Sequence, residues 1–438
     1  MTIEQLYGLY LRHPQVVIDS RKATPGCLFF AIRGARFDGN EFAAAALDAG
    51  AAAAVIDRPD LVQDERFVLV EDALQTMQQL ARHHRMQFKM PVLAITGSNG
   101  KTTTKDLISA VLGSHYPLHF TRGNLNNHIG VPLTLLAMPH HVEVAVIEMG
   151  ANHEGEIAAL CRIADPTHGL ITNIGKAHLE GFGSIEGVKR GKSELYRYLA
   201  ARDGVAFINR DADFLEELAA PVRKKLFYQR TASLDLNDGP YAMEVIELKP
   251  FVEMAFLDEH SNRIEMQSRL IGRYNVDNIM SAVAVGKYFK VPCRKIKKAI
   301  EQFTPRNNRS QIFRQNSNTF ILDAYNANPS SVREALVHFQ GVPATRKIAI
   351  LGDMLELGPY AKAEHESIAR FAMEQAFDDL ILVGRFFEPV ACMLHLRHFP
   401  DVAALQAWMK TQHFENTCFL VKGSRRIQLE RVVESLSH

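Results

Sequence analysis

Thr96-Gly-Ser-Asn-Gly-Lys-Thr-Thr-Thr104 is the stretch whose residue types can do chemistry. Gly97 and Gly100 permit a tight turn that presents successive backbone N–H groups. Lys101 adds a full positive charge, and the Thr102 hydroxyl is a ligand suited to magnesium. The chemistry implied is phosphate binding. Ile95 stands where the common phosphate-loop pattern has its first glycine, so the match to that pattern is incomplete. The elements needed to position the loop are nonetheless present. Val92–Ile95 reads as an apolar strand. Lys101–Leu112 reads as a helix with Leu107, Ile108, Val111 and Leu112 on one face. A helix N-terminus behind a glycine turn favours anions, because its N–H groups are unpaired and its dipole is positive there.

Other polar groups fall at strand ends. Glu148 closes the apolar run Val142–Glu148, where a carboxylate beside a phosphate loop serves magnesium. His178 follows a second apolar run, His168–Ile174, and so points to the same rim. Between them lies Gly123-Asn-Leu-Asn-Asn-His-Ile-Gly-Val-Pro132, whose Asn124, Asn126 and Asn127 mark a functional loop. Ile185–Leu199 reads as one helix, with Lys189, Arg190 and Lys192 as a basic solvated face. Asp19-Ser20-Arg21 and Arg36-Phe-Asp38-Gly39-Asn40 read first as turn chemistry.

The 438 residues are too many for one ordinary core. Punctuation at Met90-Pro91 and Phe303–Arg309 divides the chain into three α/β domains, 1–88, 89–305 and 306–438. The middle one is a nucleotide-binding domain with a mainly parallel sheet, extended by strands that include Val252–Leu257 and Gln267–Ile271 and by a helix Ile279–Tyr288. The last alternates strands and helices in a Rossmann-like pattern, with Asn328 capping a helix that begins at Pro329. Lys+Arg is 50 against Asp+Glu 49, which gives no charge basis for a nucleic-acid or membrane partner. Five scattered cysteines fit a reducing cytoplasm and form no zinc pattern. Met1–Arg12 lacks the apolar core of a signal peptide, and no run is suited to spanning a membrane.

The loop, the Asn-rich segment, Glu148-Met-Gly-Ala-Asn and Asn173-Ile-Gly-Lys-Ala-His-Leu-Glu together resemble the Mur ligases of peptidoglycan synthesis. Asp323-Ala-Tyr-Asn-Ala-Asn-Pro, Leu351-Gly-Asp-Met-Leu-Glu-Leu-Gly358 and the two N-terminal clusters resemble the branch that adds D-alanyl-D-alanine to a UDP-N-acetylmuramoyl tripeptide. The resemblance implies an ATP-dependent amide ligase working through an acyl phosphate, in the cytoplasm and as a monomer. It implies that Gly97, Ser98, Asn99, Gly100, Lys101, Thr102 and Thr103 cradle the ATP phosphates, and that Thr102 and Glu148 hold Mg2+. It puts His178 near a second Mg2+ and Lys192 at a position carbamylated by CO2. Asn275 and Asn278 are implied near adenine, Arg309 at the phosphates and Asp323 at the ribose. Tyr325 and Asn326 fall near the nucleotide or the dipeptide. Ser20, Arg21, Asp38 and Gly39 are implied on the UDP side, and Asn124, Asn126 and Asn127 at the substrate. Lys101 and Arg309 lie in different domains, so the domains must close around ATP by a hinge near Thr304–Arg309.

Overall fold

The computed structural model describes residues 1–34, 37–248, 251–305 and 311–436. Arg36 and Arg309, and most of the expected hinge, lie outside the described residues. Apolar, β-branched runs build the strands of three sheets, which have four, nine and six strands among the described residues.

The first sheet is wholly parallel and runs β1 (Val16–Val17), β2 (Leu28–Phe30), β3 (Ala53–Ile56), β4 (Phe67–Leu69). The second contains β5 (Val92–Thr96), β6 (Leu118–Phe120), β7 (Val144–Glu148), β8 (His168–Ile171) and β9 (Val205–Asn209). It continues through β10 (Lys224–Thr231), β11 (Ala242–Glu247), β12 (Glu253–Leu257) and β13 (Arg263–Gln267), in the order 13-12-11-10-9-8-5-7-6. β5 has β7 on one side and β8 on the other, both parallel to it. The chain leaves β5 towards one side and later returns to build the other, so the crevice at the carboxyl end of β5 is a switch point where ligands bind. The third sheet contains β14 (Gln311–Gln315), β15 (Asn318–Leu322), β16 (Arg346–Gly352), β17 (Asp379–Val383), β18 (Arg397–Phe399) and β19 (Thr417–Lys422), in the order 14-15-19-16-17-18. It is parallel except for the β14–β15 hairpin.

Three sequence expectations are corrected. The basic helix is two helices, Ile185–Lys192 and Glu194–Ala201, divided at Ser193, so Lys192 ends the first. The last strand of the second sheet is Arg263–Gln267, not Gln267–Ile271. A tight loop in which Asp258 and Asn262 bond to each other fixes Leu257 opposite Arg263, and that register spends the strand by Gln267. The helix expected from Ile279 begins five residues earlier, at Tyr274. The Asn328 cap and Pro329 start are as read, with Val332, Leu336 and Phe339 buried.

Candidate active site

The loop after β5 needs its glycines for two separate reasons. Gly97 (φ +140°) and Gly100 (φ +77°) occupy backbone space that side chains avoid. A Cβ at Gly97 would lie 2.0 Å from Thr172 Oγ1, and one at Gly100 2.5 Å from Asn278 Oδ1. The segment after β8 fixes the loop from the other side. Ser98 N–H donates to the Asn173 carbonyl (3.0 Å) and Asn99 N–H to Asn173 Oδ1 (3.0 Å). Thr172 Oγ1 donates to the Asn99 carbonyl (2.6 Å), and Gly175 N–H to Ser98 Oγ (2.9 Å). Lys101 Nζ arches over the turn and donates to the Gly97 and Ser98 carbonyls (2.8 and 3.0 Å). The helix Lys101–Gly113 starts directly behind.

Glu148, at the end of β7, is 1% exposed, which rules out a solvated strand-end carboxylate. Its Oε1 accepts from Thr102 Oγ1 (3.1 Å) and Asn126 Nδ2 (2.7 Å), while its Oε2 is buried without a partner. A buried carboxylate oxygen left open beside a threonine hydroxyl and a phosphate loop fits magnesium, which takes one or two protein oxygens and fills its octahedron with water and phosphate. No cluster of three or more His, Cys, Asp or Glu side chains suited to a metal occurs among the described residues.

Lys192 is fully buried rather than on a solvated face. Its Nζ donates to the carbonyl of Ala151, just beyond Glu148 (2.9 Å), and lies 5.0 Å from the centre of the Phe182 ring. Burial, reinforced by the charge of Lys101, pushes the amine well below the usual lysine range. Glu194, two residues on, accepts the N–H groups of Gly155 and Ala158 (2.5 and 2.8 Å) and so caps the helix that follows β7. His178 adopts a left-handed backbone (φ 53°) and pairs with Glu356 of the third domain, Nδ1 to Oε2 2.5 Å. That contact holds the Glu356 carboxyl below its ordinary range, with Arg426 and Lys101 adding to the effect.

Asn275 and Asn278 form a relay. Thr104 Oγ1 donates to Asn278 Oδ1 (2.8 Å), Asn278 Nδ2 to Asn275 Oδ1 (2.8 Å), and Asn275 Nδ2 to the Ile271 carbonyl (2.7 Å). In the third domain Asp323 is bound by Lys422 (2.6 Å), and Arg425 reaches the Tyr325 hydroxyl (3.3 Å). The sequence assigns neither Lys422 nor Arg425 a role; both are placed at the site only by the fold. Asn328 crosses between domains to donate to Asn99 Oδ1 (2.7 Å).

These groups share one cavity of about 1470 Å³ between the central and third domains. Its wall includes Ser98 through Thr103, Asn124, Asn126, Asn127, Glu148 and His178 from the central domain. Asn275 and Asn278 join them, with Asp323, Tyr325, Asn326 and Glu356 opposite. Lys192 lies behind the wall. Ser20, Arg21, Asp38 and Gly39 do not line it. Asp19 clamps Arg21 (2.9 Å), Asp38 binds Asn40 (2.7 Å), and a Cβ at Gly39 would strike the Ile32 carbonyl at 2.4 Å, so Arg21, Asp38 and Gly39 have local structural work.

Three family models match successive parts of the chain: "Mur ligase family, catalytic domain" over residues 14–85, "Mur ligase middle domain" over 95–286, and "Mur ligase, glutamate ligase domain" over 308–425. The UDP-N-acetylmuramoyl-tripeptide–D-alanyl-D-alanine ligase of Bacillus subtilis is 34% identical, over 96% of this chain and 92% of its own. The chain belongs to the Mur ligase family. The ligase fold extends from end to end: the crystal structure of MurF from Acinetobacter baumannii superimposes with a TM-score of 0.88 at 31% identity, covering 100% of this chain and 98% of that one. MurF from Thermotoga maritima, solved in complex with ADP, gives 0.84 at 26% identity, covering 98% of each. No helix among the described residues is long and apolar enough to cross a membrane.

Proposed function

We propose that this ligase joins D-alanyl-D-alanine to a UDP-N-acetylmuramoyl tripeptide at the expense of ATP, as a monomer in the cytoplasmic stage of peptidoglycan synthesis. The observation that carries the reading is one cavity holding a phosphate loop, the open oxygen of Glu148 and the facing Asp323–Lys422 pair of another domain. The tripeptide carboxylate attacks the γ-phosphorus of ATP, the bond to the β-phosphate oxygen breaks, and ADP leaves. The amine of D-alanyl-D-alanine then attacks the acyl-phosphate carbonyl, forming the C–N bond and releasing phosphate. Phosphorylation is needed because a free carboxylate lacks a leaving group. The protein contributes position and charge.

The loop N–H groups and Lys101 hold the phosphates and keep the γ-phosphate at the rim. Asn275 and Asn278 border the adenine, Asp323 the ribose, and Tyr325 and Asn326 the nucleotide or dipeptide. Asn124, Asn126 and Asn127 face the incoming substrate, while Ser20, Arg21, Asp38 and Gly39 take the UDP end. Arg309 is assigned to the ATP phosphates on family resemblance. Magnesium, held by Thr102 and Glu148 with a second ion by His178, would neutralise the charge that builds on the transferring phosphoryl group. Lys192 fits the carbamate reading: burial favours its neutral amine, the form that adds CO2, and the product would be a carboxylate-like oxygen ligand behind Glu148.

Phosphate release tests the reading. With the UDP-tripeptide and ATP present, release should require D-alanyl-D-alanine and match product formation one to one. Steady release without the dipeptide would instead favour a hydrolase, and ADP formed with no phosphate released would favour a phosphate-loop kinase. Lys192→Ala should lower turnover by about a hundredfold or more, and unchanged turnover would remove Lys192 from the site.

A further inference from the structure

Asn99 belongs to the phosphate loop, yet its side chain is held from another domain. Its backbone is committed within the central domain. The Asn99 N–H donates to Asn173 Oδ1 (3.0 Å), and the Asn99 carbonyl accepts from Thr172 Oγ1 (2.6 Å) and Asn173 Nδ2 (3.2 Å). That network does not fix the side-chain amide. Asn328 of the third domain does, through its Nδ2, which donates to Asn99 Oδ1 (2.7 Å).

The direction of this bond is set on the third-domain side. Asn328 is buried and caps the helix Pro329–Gln340. Its Oδ1 accepts the Ser331 N–H (2.9 Å), and its own N–H donates to Ser331 Oγ (3.1 Å). A backbone N–H can only donate, so the Asn328 amide oxygen faces the helix and its NH2 group faces Asn99. The Asn99 atom that meets it must then be the oxygen, which leaves the Asn99 NH2 group on the opposite side. Asn99 lines the cavity. The same end of the third-domain helix also seats on the segment after β8. Ser330 Oγ accepts the Lys176 N–H (3.2 Å), and a Cβ at Gly175 would lie 3.1 Å from Ser330 Oγ and 3.7 Å from Asn99 Nδ2. Among the described residues, no protein acceptor takes up Asn99 Nδ2. An amide offers an anion either its oxygen or its NH2 group, and only the NH2 group is attractive to phosphate.

We propose that Asn328 is a positioning residue for the phosphate loop: by taking Asn99 Oδ1 it turns the Asn99 amide so that its NH2 group donates to a nucleotide phosphate, and this donor is in place only while the third domain is docked. The inference rests on the nucleotide-binding part of the proposed function.

The test is calorimetric binding of ADP and of adenosine to the full-length protein. Asn328→Ser keeps a capping hydroxyl but is too short to reach Asn99. It should weaken ADP binding about fivefold, the cost of ordering a side chain no longer held. Asn99→Ala removes the donor itself and should weaken ADP binding about tenfold or more. In the Asn99→Ala background, Asn328→Ser should add less than about twofold. Adenosine, which has no phosphate, should bind both variants within about twofold of the parent, whereas general damage to the site would weaken it as much as ADP. Unchanged ADP affinity in Asn328→Ser, a loss that persists in full without the Asn99 amide, or an equal loss for adenosine overturns the proposal. A parent that binds ADP but joins no substrates would remove the ligase reading and leave these affinities to decide the role of Asn328. A parent that binds no ADP would overturn both.

Discussion

At the junction of the N-terminal and central domains, the joining side chains are buried. Tyr10, His84 and Arg85 are each 3% exposed or less. Tyr10 donates to the Leu136 carbonyl (2.6 Å), His84 Nε2 meets the Met138 carbonyl (2.9 Å), and Arg85 reaches the Ala164 and Asp165 carbonyls (3.0 Å each). At the junction of the central and third domains, Lys176, Glu356 and Tyr360 are exposed, His178 and Glu364 are half-buried, and only Asn328, which bonds Asn99, is buried among these joining groups. Lys176 pairs with Glu364 (2.6 Å), the Tyr360 hydroxyl reaches the Gly183 carbonyl (2.9 Å), and Glu356 meets His178. Breaking the first junction would strand buried polar groups, whereas water can replace most of the second. On this contrast the N-terminal domain is expected to stay fixed on the central one, and the third to be the part that opens and closes over the phosphate loop.

The largest effect expected from this contrast is at Arg85. Arg85→Ala deletes a buried guanidinium bonded to two central-domain carbonyls, and should cost about 3 kcal/mol of stability in urea unfolding. A loss as small as that of a surface residue would show the N-terminal junction to be as loose as the other. A smaller effect is expected from acid. Burial holds His84 below the ordinary imidazole range, against the raising influence of the Met138 carbonyl. The unfolded chain therefore takes up protons first, at a pKa of about 6.5. Its contribution is complete above that pH and is lost as pH falls towards the lower folded value. The urea midpoint should drop across that window, and less so in His84→Gln; identical pH dependence would contradict the assignment. The smallest stability effect is at the third domain. Glu364→Ala should cost less than about 1 kcal/mol, yet weaken the compaction seen by small-angle scattering when an ATP analogue and the UDP substrate are added. No compaction in the parent would refute the closing motion itself.

What the sequence revealed was local. The phosphate loop, Glu148 and the Asn328 cap each depend on neighbours within a few residues, and each is where it was read. Lys192 looked solvated from its own stretch because Lys189-Arg190 lie beside it, and only its packing against Phe182 and its bond to the Ala151 carbonyl show it buried. Glu356 was visible as part of a motif, but its meeting with His178 joins two domains and has no periodicity to betray it. The strand written as Gln267–Ile271 failed because register from the preceding hairpin outweighed its apolar composition.

The central claim is that the peptide carboxylate is activated by phosphorylation within the closed cavity. A UDP-N-acetylmuramoyl tripeptide labelled with oxygen-18 in its terminal carboxylate tests this directly. With ATP and D-alanyl-D-alanine, the released phosphate should carry one labelled oxygen for each amide bond formed. Unlabelled phosphate accompanying full product formation would contradict the acyl-phosphate route and the arrangement of the site proposed for it.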